Sequence, residues 1–377
     1  MKKHVVILGA GFGGLELSTH LSALADDLHI TLIDQSDSFI FGFSKLDILF
    51  GKQKTDDVRA YYRDIHKDGV EFRQEHVTAI DPARKRVTTD RNTYEADILA
   101  IALGADYDPA ATPGFVQGGY EYYSVAGAER LRDTLATFAG GSILIAILSV
   151  PFKCPPAPYE GAFLLHDYLV DRGLRATSSI HVISPMESPI PVSPDTSEAI
   201  VRGLAERDIE YTPRRRIRSI DPAHQTARLK DDELPYDLFI GIPAHRVPDV
   251  VEASGLTKGG TDGWIAVDRR TLATPFEGVY ALGDVADAPV PRAGTFAEAA
   301  ARTVAEGIMA RLRDDGSPKP YDGAGVCFIE FGGGLVGKVD ADFLSGSSPK
   351  APFVPPSAEG AKDKERYAAS RRARWFS

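Results

Sequence analysis

Three glycines near the start of the chain have the spacing of a phosphate-binding loop. Gly9, Gly11 and Gly14 form the pattern G-x-G-x-x-G. The pattern follows an apolar run, residues 5–8, and precedes a helix-like segment, residues 15–24. In such a loop the first glycine permits a tight turn, the second lets the backbone approach a pyrophosphate, and the third lets the helix pack on the strand. The phosphates then bind to the free N–H groups at the helix start, so we predict a dinucleotide site.

A carboxylate follows at the position where the ribose of a dinucleotide would bind. A second apolar strand, residues 29–33, ends in Asp34. This acid comes about 20 residues after Gly14, as the dinucleotide-binding pattern requires. Strand, helix and acid together favour a bound ligand over a glycine-rich turn that binds nothing.

Later parts of the chain add candidates for contact with the same cofactor. Residues 274–286 predict a strand that runs into Asp284 at a helix start, where its carboxylate could bind a ribityl hydroxyl or simply cap the helix. A glycine at a strand end also permits close backbone approach to a ligand. The other candidates are Gly104 at the end of the strand 98–104, Val77 in the strand 76–80, and Thr295 at the start of the helix 295–312.

A second α/β unit lacks the glycine loop that NAD(P)H binding requires. A helix, residues 129–138, and a buried strand, residues 142–148, lead into a loop, residues 149–160, with four prolines and no glycine. Prolines have no N–H donors, so this loop is unsuited to cradling a pyrophosphate. The next strand, residues 181–184, also ends without an acid. The loop instead carries Cys154 at the position where a nicotinamide ring would bind.

Length and composition set further limits. A chain of 377 residues is expected to form two or three domains. A net charge of −10 argues against nucleic acid as a partner. The purest apolar run, residues 143–148, is too short to span a membrane, and the first strand follows Met1 without a signal peptide. We therefore expect a cytoplasmic protein, with peripheral attachment to the inner face of a membrane as an alternative.

The order of predicted elements favours an α/β fold with two Rossmann-like dinucleotide-binding domains, inserted β-meanders and a small C-terminal region. The first meander is predicted from the short strands 70–72, 76–80 and 85–89. The predicted domains are residues 1–108 with 262–320 for FAD, residues 109–261 for the second Rossmann-like unit with its degenerate loop, and residues 321–377 for the C-terminal region.

Three segments have a less definite pattern. Residues 35–53 are predicted to be a loop rich in phenylalanine, and residues 345–364 to be irregular. Residues 363–376 predict a helix with four arginines followed by Trp375 and Phe376. That helix could be an interfacial anchor or an ordinary solvated tail.

Four sequence motifs give the chain a family resemblance. It resembles flavoproteins of the disulfide reductase superfamily with two dinucleotide domains and, within them, sulfide:quinone oxidoreductases and the flavin subunit of flavocytochrome c sulfide dehydrogenase. The resemblance implies FAD, a redox-active pair of Cys154 and Cys327, a small inorganic sulfur substrate, and a quinone or haem acceptor. The motifs are KCPPAPYEGA at 153–162, YALGDVA at 280–286, GTFAEAAART at 294–303 and VCFIEFGGG at 326–334.

The chain also departs from that family pattern. Quinone-reducing members usually carry a third cysteine, and its nearest counterpart here is Ser124. Many flavocytochrome subunits attach FAD through a cysteine near residues 39–44, where this chain has none, so FAD should be noncovalent. The usual pair of C-terminal amphipathic membrane helices is shortened to the single segment 363–376.

The resemblance implies a mechanism based on thiol–disulfide exchange. Hydrosulfide would attack one sulfur of a Cys154–Cys327 disulfide and form a persulfide, and the released thiolate would pass two electrons on to FAD. We expect Cys154 to be the sulfur nearer the flavin. Two unrelated buried thiols are the alternative. Lys153 could lower a thiolate pKa, and Glu160, His166 and His245 are candidate proton carriers.

Two other functions remain open from the sequence. An NADH:quinone oxidoreductase of the same superfamily would need a glycine loop at residues 149–156. A flavin-binding sensor or assembly protein would hold FAD without turnover. We predict no metal site, and a homodimer is an open alternative to a monomer.

Overall fold

The computed structural model describes residues 2–24, 27–313 and 318–376. These residues form two separate parallel sheets, two small antiparallel meanders and a C-terminal antiparallel sheet, with helices packed around them. The predicted α/β fold class, with two Rossmann-like units, inserted meanders and a small C-terminal region, is therefore confirmed.

The strands are mostly short, and the longer ones belong to the two parallel sheets and the C-terminal sheet. In chain order they are β1 (Lys3–Leu8), β2 (Leu28–Asp34), β3 (Ser38–Phe39), β4 (Ala60–Tyr61), β5 (Val70–Gln74), β6 (Val77–Asp81), β7 (Arg86–Thr89), β8 (Thr93–Glu95), β9 (Ile98–Ile101), β10 (Asp106–Asp108), β11 (Gly141–Ile147), β12 (Ser178–Ile183), β13 (Ile209–Thr212), β14 (Ser219–Asp221), β15 (Thr226–Arg228), β16 (Glu233–Pro235), β17 (Leu238–Ile242), β18 (Ala244–Arg246), β19 (Ile265–Ala266), β20 (Val279–Ala281), β21 (Ala286–Asp287), β22 (Ala324–Glu330), β23 (Val336–Asp342) and β24 (Phe353–Ser357).

The helices differ widely in length. In chain order they are α1 (Phe12–Leu24), α2 (Ser44–Leu49), α3 (Thr55–Val58), α4 (Phe115–Gly118), α5 (Val125–Thr137), α6 (Ala157–Asp171), α7 (Pro194–Ala205), α8 (Asp249–Ala253), α9 (Gly294–Arg313) and α10 (Ala358–Phe376). None of the helices in the described part of the chain has the length and apolar character needed to cross a bilayer.

The first parallel sheet has the strand order β20-β9-β1-β2-β5. Residues 5–8 of β1 and all of β9 are apolar and buried, as expected for a sheet covered on both faces. Helix α1 packs against α9. Because parallel strands carry their carboxyl ends at one edge, the glycine loop after β1, Gly104 after β9 and Gly283 after β20 all follow strands at that edge.

The second parallel sheet has the order β13-β12-β11-β17, with α6 packed against β11 and β12. The proline-rich loop that carries Cys154 follows β11 at the carboxyl edge of this sheet. The three-stranded meanders β6-β7-β8 and β14-β15-β16 are the two inserts that the sequence predicted.

Several local predictions were wrong. The strand predicted at residues 70–72 is β5, and it extends the parallel sheet beside β2 instead of joining the meander. The segment 35–53 contains β3 and α2, because Leu46, Ile48 and Leu49 supply an apolar helix face that is buried in the core. The segment 345–364, predicted to be irregular, contains β24 and the start of α10.

The C-terminal helix α10 is neither a free tail nor an exposed anchor. Trp375 is completely buried, and its ring packs edge-on against the rings of Phe12 and Phe39 at centroid distances of 5.5 Å each. Its indole Nε1 donates a hydrogen bond of 2.7 Å to Glu16 of α1. Trp375, which both an interfacial anchor and a solvated tail would have left exposed, is therefore part of the core.

Arginines of α10 hold this helix on α1 and α9 through two buried carboxylates. Arg371 donates to Glu298 Oε1 of α9 at 2.7 Å, and Arg374 bonds to both Glu298 and Glu16. Arg302 of α9 bridges the same two carboxylates at 3.1 and 3.2 Å. We call these five residues the C-terminal latch.

Candidate active site

A cavity of about 610 Å³ opens where the first sheet, the second unit and the C-terminal sheet meet. This volume lies within the range of roughly 300–1,000 Å³ that ligand pockets span. Several residues proposed from the sequence line it, from every part of the chain: Gly11, Gly104, Cys154, Glu160, Asp284, Thr295 and Cys327. The remaining candidates, Gly9, Gly14, Asp34 and Val77, are not part of its wall.

The glycine loop has the geometry that the fingerprint requires. Gly9 has φ +95°, and a Cβ there would lie 2.4 Å from the carbonyl oxygen of Ala102. A Cβ on Gly14 would lie 1.8 Å from the carbonyl oxygen of Gly9, so this glycine permits the helix to pack on the loop. A Cβ on Gly11 would meet nothing within 4 Å, because this glycine faces the cavity.

The different surroundings of these glycines predict different effects of alanine. We expect Gly14→Ala to lower both the stability of the FAD-free protein and FAD retention, because overpacking of this kind costs about 1–3 kcal/mol. Gly11→Ala should leave the unfolding midpoint of the FAD-free protein unchanged and weaken FAD binding alone. Urea unfolding and the FAD content of the purified protein measure the two effects. Equal loss of stability in both variants would contradict this assignment.

Asp34 binds the protein backbone. Its carboxylate accepts hydrogen bonds from Ala10 N at 2.7 Å and from Ser36 N at 2.8 Å, and so holds the glycine loop in place. Its contact with a ribose stays a prediction. Val77 is 7 % exposed and packs in an apolar cluster with Val6 and Leu8, apart from the cavity.

Asp284 lies in a 3₁₀ turn, Gly283–Val285, instead of at the start of a long helix, since α9 begins ten residues later, at Gly294. Burial raises the pKa of Asp284, although Lys153, Arg292 and Lys45 oppose the shift. Thr295, in the first turn of α9, has a buried Oγ1 without a hydrogen-bond partner. A buried hydroxyl of this kind is expected where a polar ligand group completes the site.

These features fit a flavin dinucleotide. Three residues of one cavity could contact it: Gly11, Asp284 and Thr295. The open space at Gly11 would accommodate a phosphate, and the Asp284 carboxylate and the Thr295 hydroxyl offer hydrogen bonds to a phosphate or a ribityl hydroxyl. When bound, FAD supplies the two-electron redox chemistry, while the protein positions it and tunes its surroundings.

Cys154 and Cys327 are far apart in sequence and border this same cavity as half-buried free thiols. Cys154 has φ +50°, a strained conformation for a residue with a side chain. Its N–H donates to Arg292 O at 2.8 Å, and its carbonyl accepts from Ala157 N at 2.9 Å. These bonds hold the strained turn at the start of α6.

Both thiols are hard to ionise. Burial raises the pKa of Cys154 to about 12, with Asp284 and Glu160 adding to the shift. Burial likewise raises the pKa of Cys327 to about 12, with contributions from Cys154 and Glu160. Lys153 acts on Cys154 in the predicted direction, but burial outweighs it. Near neutral pH both cysteines are therefore neutral thiols.

Glu160 is suited to exchange a proton near neutral pH. It is 6 % exposed on the first turn of α6, and burial raises its pKa to about 7 against the opposing charge of Lys364. Its Oε1 accepts a hydrogen bond of 3.0 Å from Glu330 N. Lys364 in turn donates to Glu330 Oε1 at 2.6 Å.

The other candidates, His166, His245 and Ser124, do not border the cavity. His166 bonds to Asp167 at 3.2 Å and does not border the cavity. Burial lowers the pKa of His245 to about 3, so its ring is neutral, and its Nδ1 donates to Pro243 O. Ser124, the counterpart of a third cysteine, caps α5 by accepting from Gly127 N and does not border the cavity.

Sequence reasoning missed several residues of the cavity wall. Four of them come from segments outside the four motifs, and only the fold brings them to the site: Lys45, Tyr107, Tyr123 and Tyr367. The fifth, Phe328, lies in the motif at 326–334 beside Cys327. The phenylalanines of segment 35–53 gave one signal, since Phe39 and Phe43 border the cavity as an apolar wall.

Comparison with known proteins places this site in a family. The family model described as pyridine nucleotide-disulphide oxidoreductase matches residues 3–303. The sulfide-quinone reductase of Aquifex aeolicus is 27% identical over 94% of this chain and 85% of its own length. The mitochondrial sulfide:quinone oxidoreductase of Mus musculus is 25% identical over 93% and 80%.

A solved structure gives the same result for the fold. The sulfide:quinone oxidoreductase of Aquifex aeolicus superposes with a TM-score of 0.89 at 24% identity, covering 99% of this chain and 92% of that one. The resemblance seen in the sequence motifs is confirmed, and the chain belongs to the pyridine nucleotide-disulphide oxidoreductase family as an FAD-dependent oxidoreductase.

Proposed function

We propose that this protein oxidises sulfide, or a closely related small sulfur species, through Cys154 and Cys327 and passes the electrons through noncovalent FAD to a quinone or another acceptor. The observation that carries the proposal is the presence of both thiols on the wall of the cavity that Gly11 and Asp284 also border. The sulfide and quinone parts are supported by the names of the most similar relatives.

The proposed first step balances without an added reagent. Hydrosulfide attacks one sulfur of the oxidised cysteine pair, the S–S bond breaks, a cysteine persulfide forms, and the other cysteine leaves as a thiolate that carries the electron pair. Regeneration of the disulfide then releases the outer sulfur at oxidation state zero, so that overall hydrosulfide gives sulfur, one proton and two electrons, and bound FAD would supply the acceptor for the electrons. Glu160, which has a pKa of about 7 and borders the same cavity, takes up that proton.

The loop chemistry favours sulfur over NADH as the electron source. The strand-to-helix turn that follows β11 contains Pro155 and Pro156, which offer no N–H to a pyrophosphate. Lys153 and Cys154 of the same turn border the cavity, as a sulfur site requires and a nicotinamide site does not.

Anaerobic stopped-flow reduction tests the proposal directly. We expect sulfide to bleach the flavin absorbance of the holoenzyme at a rate that rises with sulfide concentration, and equimolar NADH to bleach it at least about tenfold more slowly. Faster reduction by NADH would support the alternative NADH:quinone oxidoreductase. Failure of both donors would support a sensor or assembly protein.

We further propose that residues 1–108 with 262–320 form the FAD domain, residues 109–261 the second unit, and residues 321–377 the C-terminal region. The contacts of α10 with α1 and α9 support a close association of the last region with the first. Peripheral membrane contact through residues 363–376 and a homodimer stay predictions, and the buried position of Trp375 weighs against its use as an anchor.

A further inference from the structure

Two lysines border the cavity beside Cys154 without a carboxylate partner. Lys45 of α2 donates from Nζ to the carbonyl oxygen of Tyr123 at 2.6 Å, and Lys153 donates to the carbonyl oxygen of Ala105 at 2.8 Å. Within residues 2–24, 27–313 and 318–376, neither ammonium group has a carboxylate at ion-pair distance. Both lysines are half-buried and border the cavity.

A tyrosine near these lysines, Tyr123, has a hydroxyl group without a hydrogen-bond partner. Tyr123 is 6 % exposed, borders the cavity, and has a buried Oη with no hydrogen-bond partner. Burial raises its pKa well above the ordinary tyrosine value, so the hydroxyl keeps its proton. Tyr107 stands beside it, with its ring centroid 4.4 Å from Lys153 Nζ. A buried unpaired hydroxyl costs free energy unless a ligand completes it.

The groups around the two lysines act on them differently. Burial lowers the pKa of Lys153, but Tyr107 and Asp284 outweigh burial and raise that pKa above its ordinary value. Burial and then Lys153 lower the pKa of Lys45 to about 8, and Cys154, Glu121 and Asp284 oppose that shift only in part. The Glu121 carboxylate is already bonded to the backbone N–H groups of residues 123 and 124. A buried cation without a partner is unfavourable, and an anion bound beside Lys45 would remove that penalty.

We propose that Lys45, Lys153 and the Tyr123 hydroxyl form an anion subsite beside Cys154, which binds the sulfur substrate as its monoanion before it attacks the cysteine pair. This inference rests on the proposed function and adds to it the residues that select the ionised substrate. The subsite also gives substrate binding a pH dependence. Because Lys45 loses its charge above about pH 8, anion affinity should fall as the pH rises past that value.

An inert anion tests binding separately from turnover. Thiocyanate titrated into the oxidised FAD-loaded protein should perturb the flavin absorbance in a saturable manner. Lys45→Met and Lys153→Met should each raise its dissociation constant at least tenfold at pH 7. The exposed Lys230→Met, which also removes one positive charge, should leave it unchanged and serves as the matched control.

The pH dependence of thiocyanate binding distinguishes a specific effect of Lys45 from a general effect of the charge of the protein. Between pH 8 and 9 the dissociation constant of the parent protein should rise by up to about fivefold, because the protonated fraction of Lys45 falls by that factor, and that of Lys45→Met should change far less. Unchanged FAD content and unfolding temperature would show that each variant is folded. The concentration of sulfide that gives half the maximal rate of flavin reduction should rise in both variants, with little change in the limiting rate.

Two outcomes would overturn the subsite. One is thiocyanate binding that neither lysine variant weakens. The other is a changed flavin reduction potential in both variants with unchanged thiocyanate affinity, which would assign the lysines to the flavin. Lysine-dependent thiocyanate binding in a protein whose flavin sulfide never reduces would leave the subsite standing and reject the proposed function instead.

Discussion

Replacing Cys154 by serine is expected to slow sulfide-dependent flavin reduction by at least about a thousandfold, since loss of a group that takes part in bond making removes orders of magnitude of rate. Serine occupies nearly the same space but cannot form the disulfide that hydrosulfide attacks. The strained turn should survive, because its two hydrogen bonds involve only backbone atoms of residue 154. Anaerobic stopped-flow absorbance of the FAD-loaded variant measures the rate.

The partner cysteine supplies the sharpest control. Cys327→Ser should lose as much rate as Cys154→Ser, and the double variant should be no slower than either single one, because residues that act as one unit are not additive. FAD content should equal that of the parent in all three proteins. Either single variant reduced by sulfide as fast as the parent would reject the paired-cysteine mechanism.

The parts of this site that depend on local chemistry could be predicted from sequence. The glycine fingerprint works through backbone geometry within a few residues of β1, so spacing alone identified Gly9, Gly11 and Gly14. The absence of a second such loop was equally visible, because prolines remove N–H donors wherever they occur. Cys154 could also be identified from local sequence, because it is a reactive residue type within this proline-rich loop.

The parts that depend on tertiary packing could not be predicted in this way. Lys45 lies in the short helix α2, which is stabilised by the packing of its apolar residues in the core around the second parallel sheet. The sequence of this segment predicts a loop. Asp34 matched the pattern for a ribose ligand, yet its hydrogen bonds go to the loop backbone. The raised pKa of Glu160 follows from its burial in the fold, and Lys364, which opposes the shift, lies more than a hundred residues away in sequence.

The C-terminal helix shows the same limit most clearly. Four arginines and a tryptophan at a chain end are typical of both a membrane anchor and a solvated tail, and composition does not decide between them. The decision comes from Glu16 and Glu298, two carboxylates on α1 and α9 that are 0 % and 1 % exposed. Buried charges require partners, and these two acids form ion pairs with Arg371 and Arg374. Trp375, the next residue in the chain, is thereby positioned to pack in the core.

The C-terminal latch should therefore be a major source of stability. Glu298→Gln keeps the size of the side chain but leaves the arginines of the latch without their shared carboxylate. Breaking a buried ion pair in this way costs about 3–5 kcal/mol. We expect a lower urea midpoint for Glu298→Gln, whereas Glu306→Gln, the same change at an exposed position on the same helix, should have almost no effect.

The same variant should also weaken cofactor retention, because the latch is joined to the cavity wall. Tyr367 borders the cavity, and its Oη donates a hydrogen bond of 2.7 Å to Glu298 Oε2. Once α10 loosens, that wall loses its support, so Glu298→Gln should release FAD more readily than Glu306→Gln on gel filtration. Limited proteolysis should cut α10 first. Equal urea midpoints and equal FAD content for the two variants would show that the ion pairs of the C-terminal latch do not stabilise the protein. The packing of Trp375 alone would then hold α10 in place.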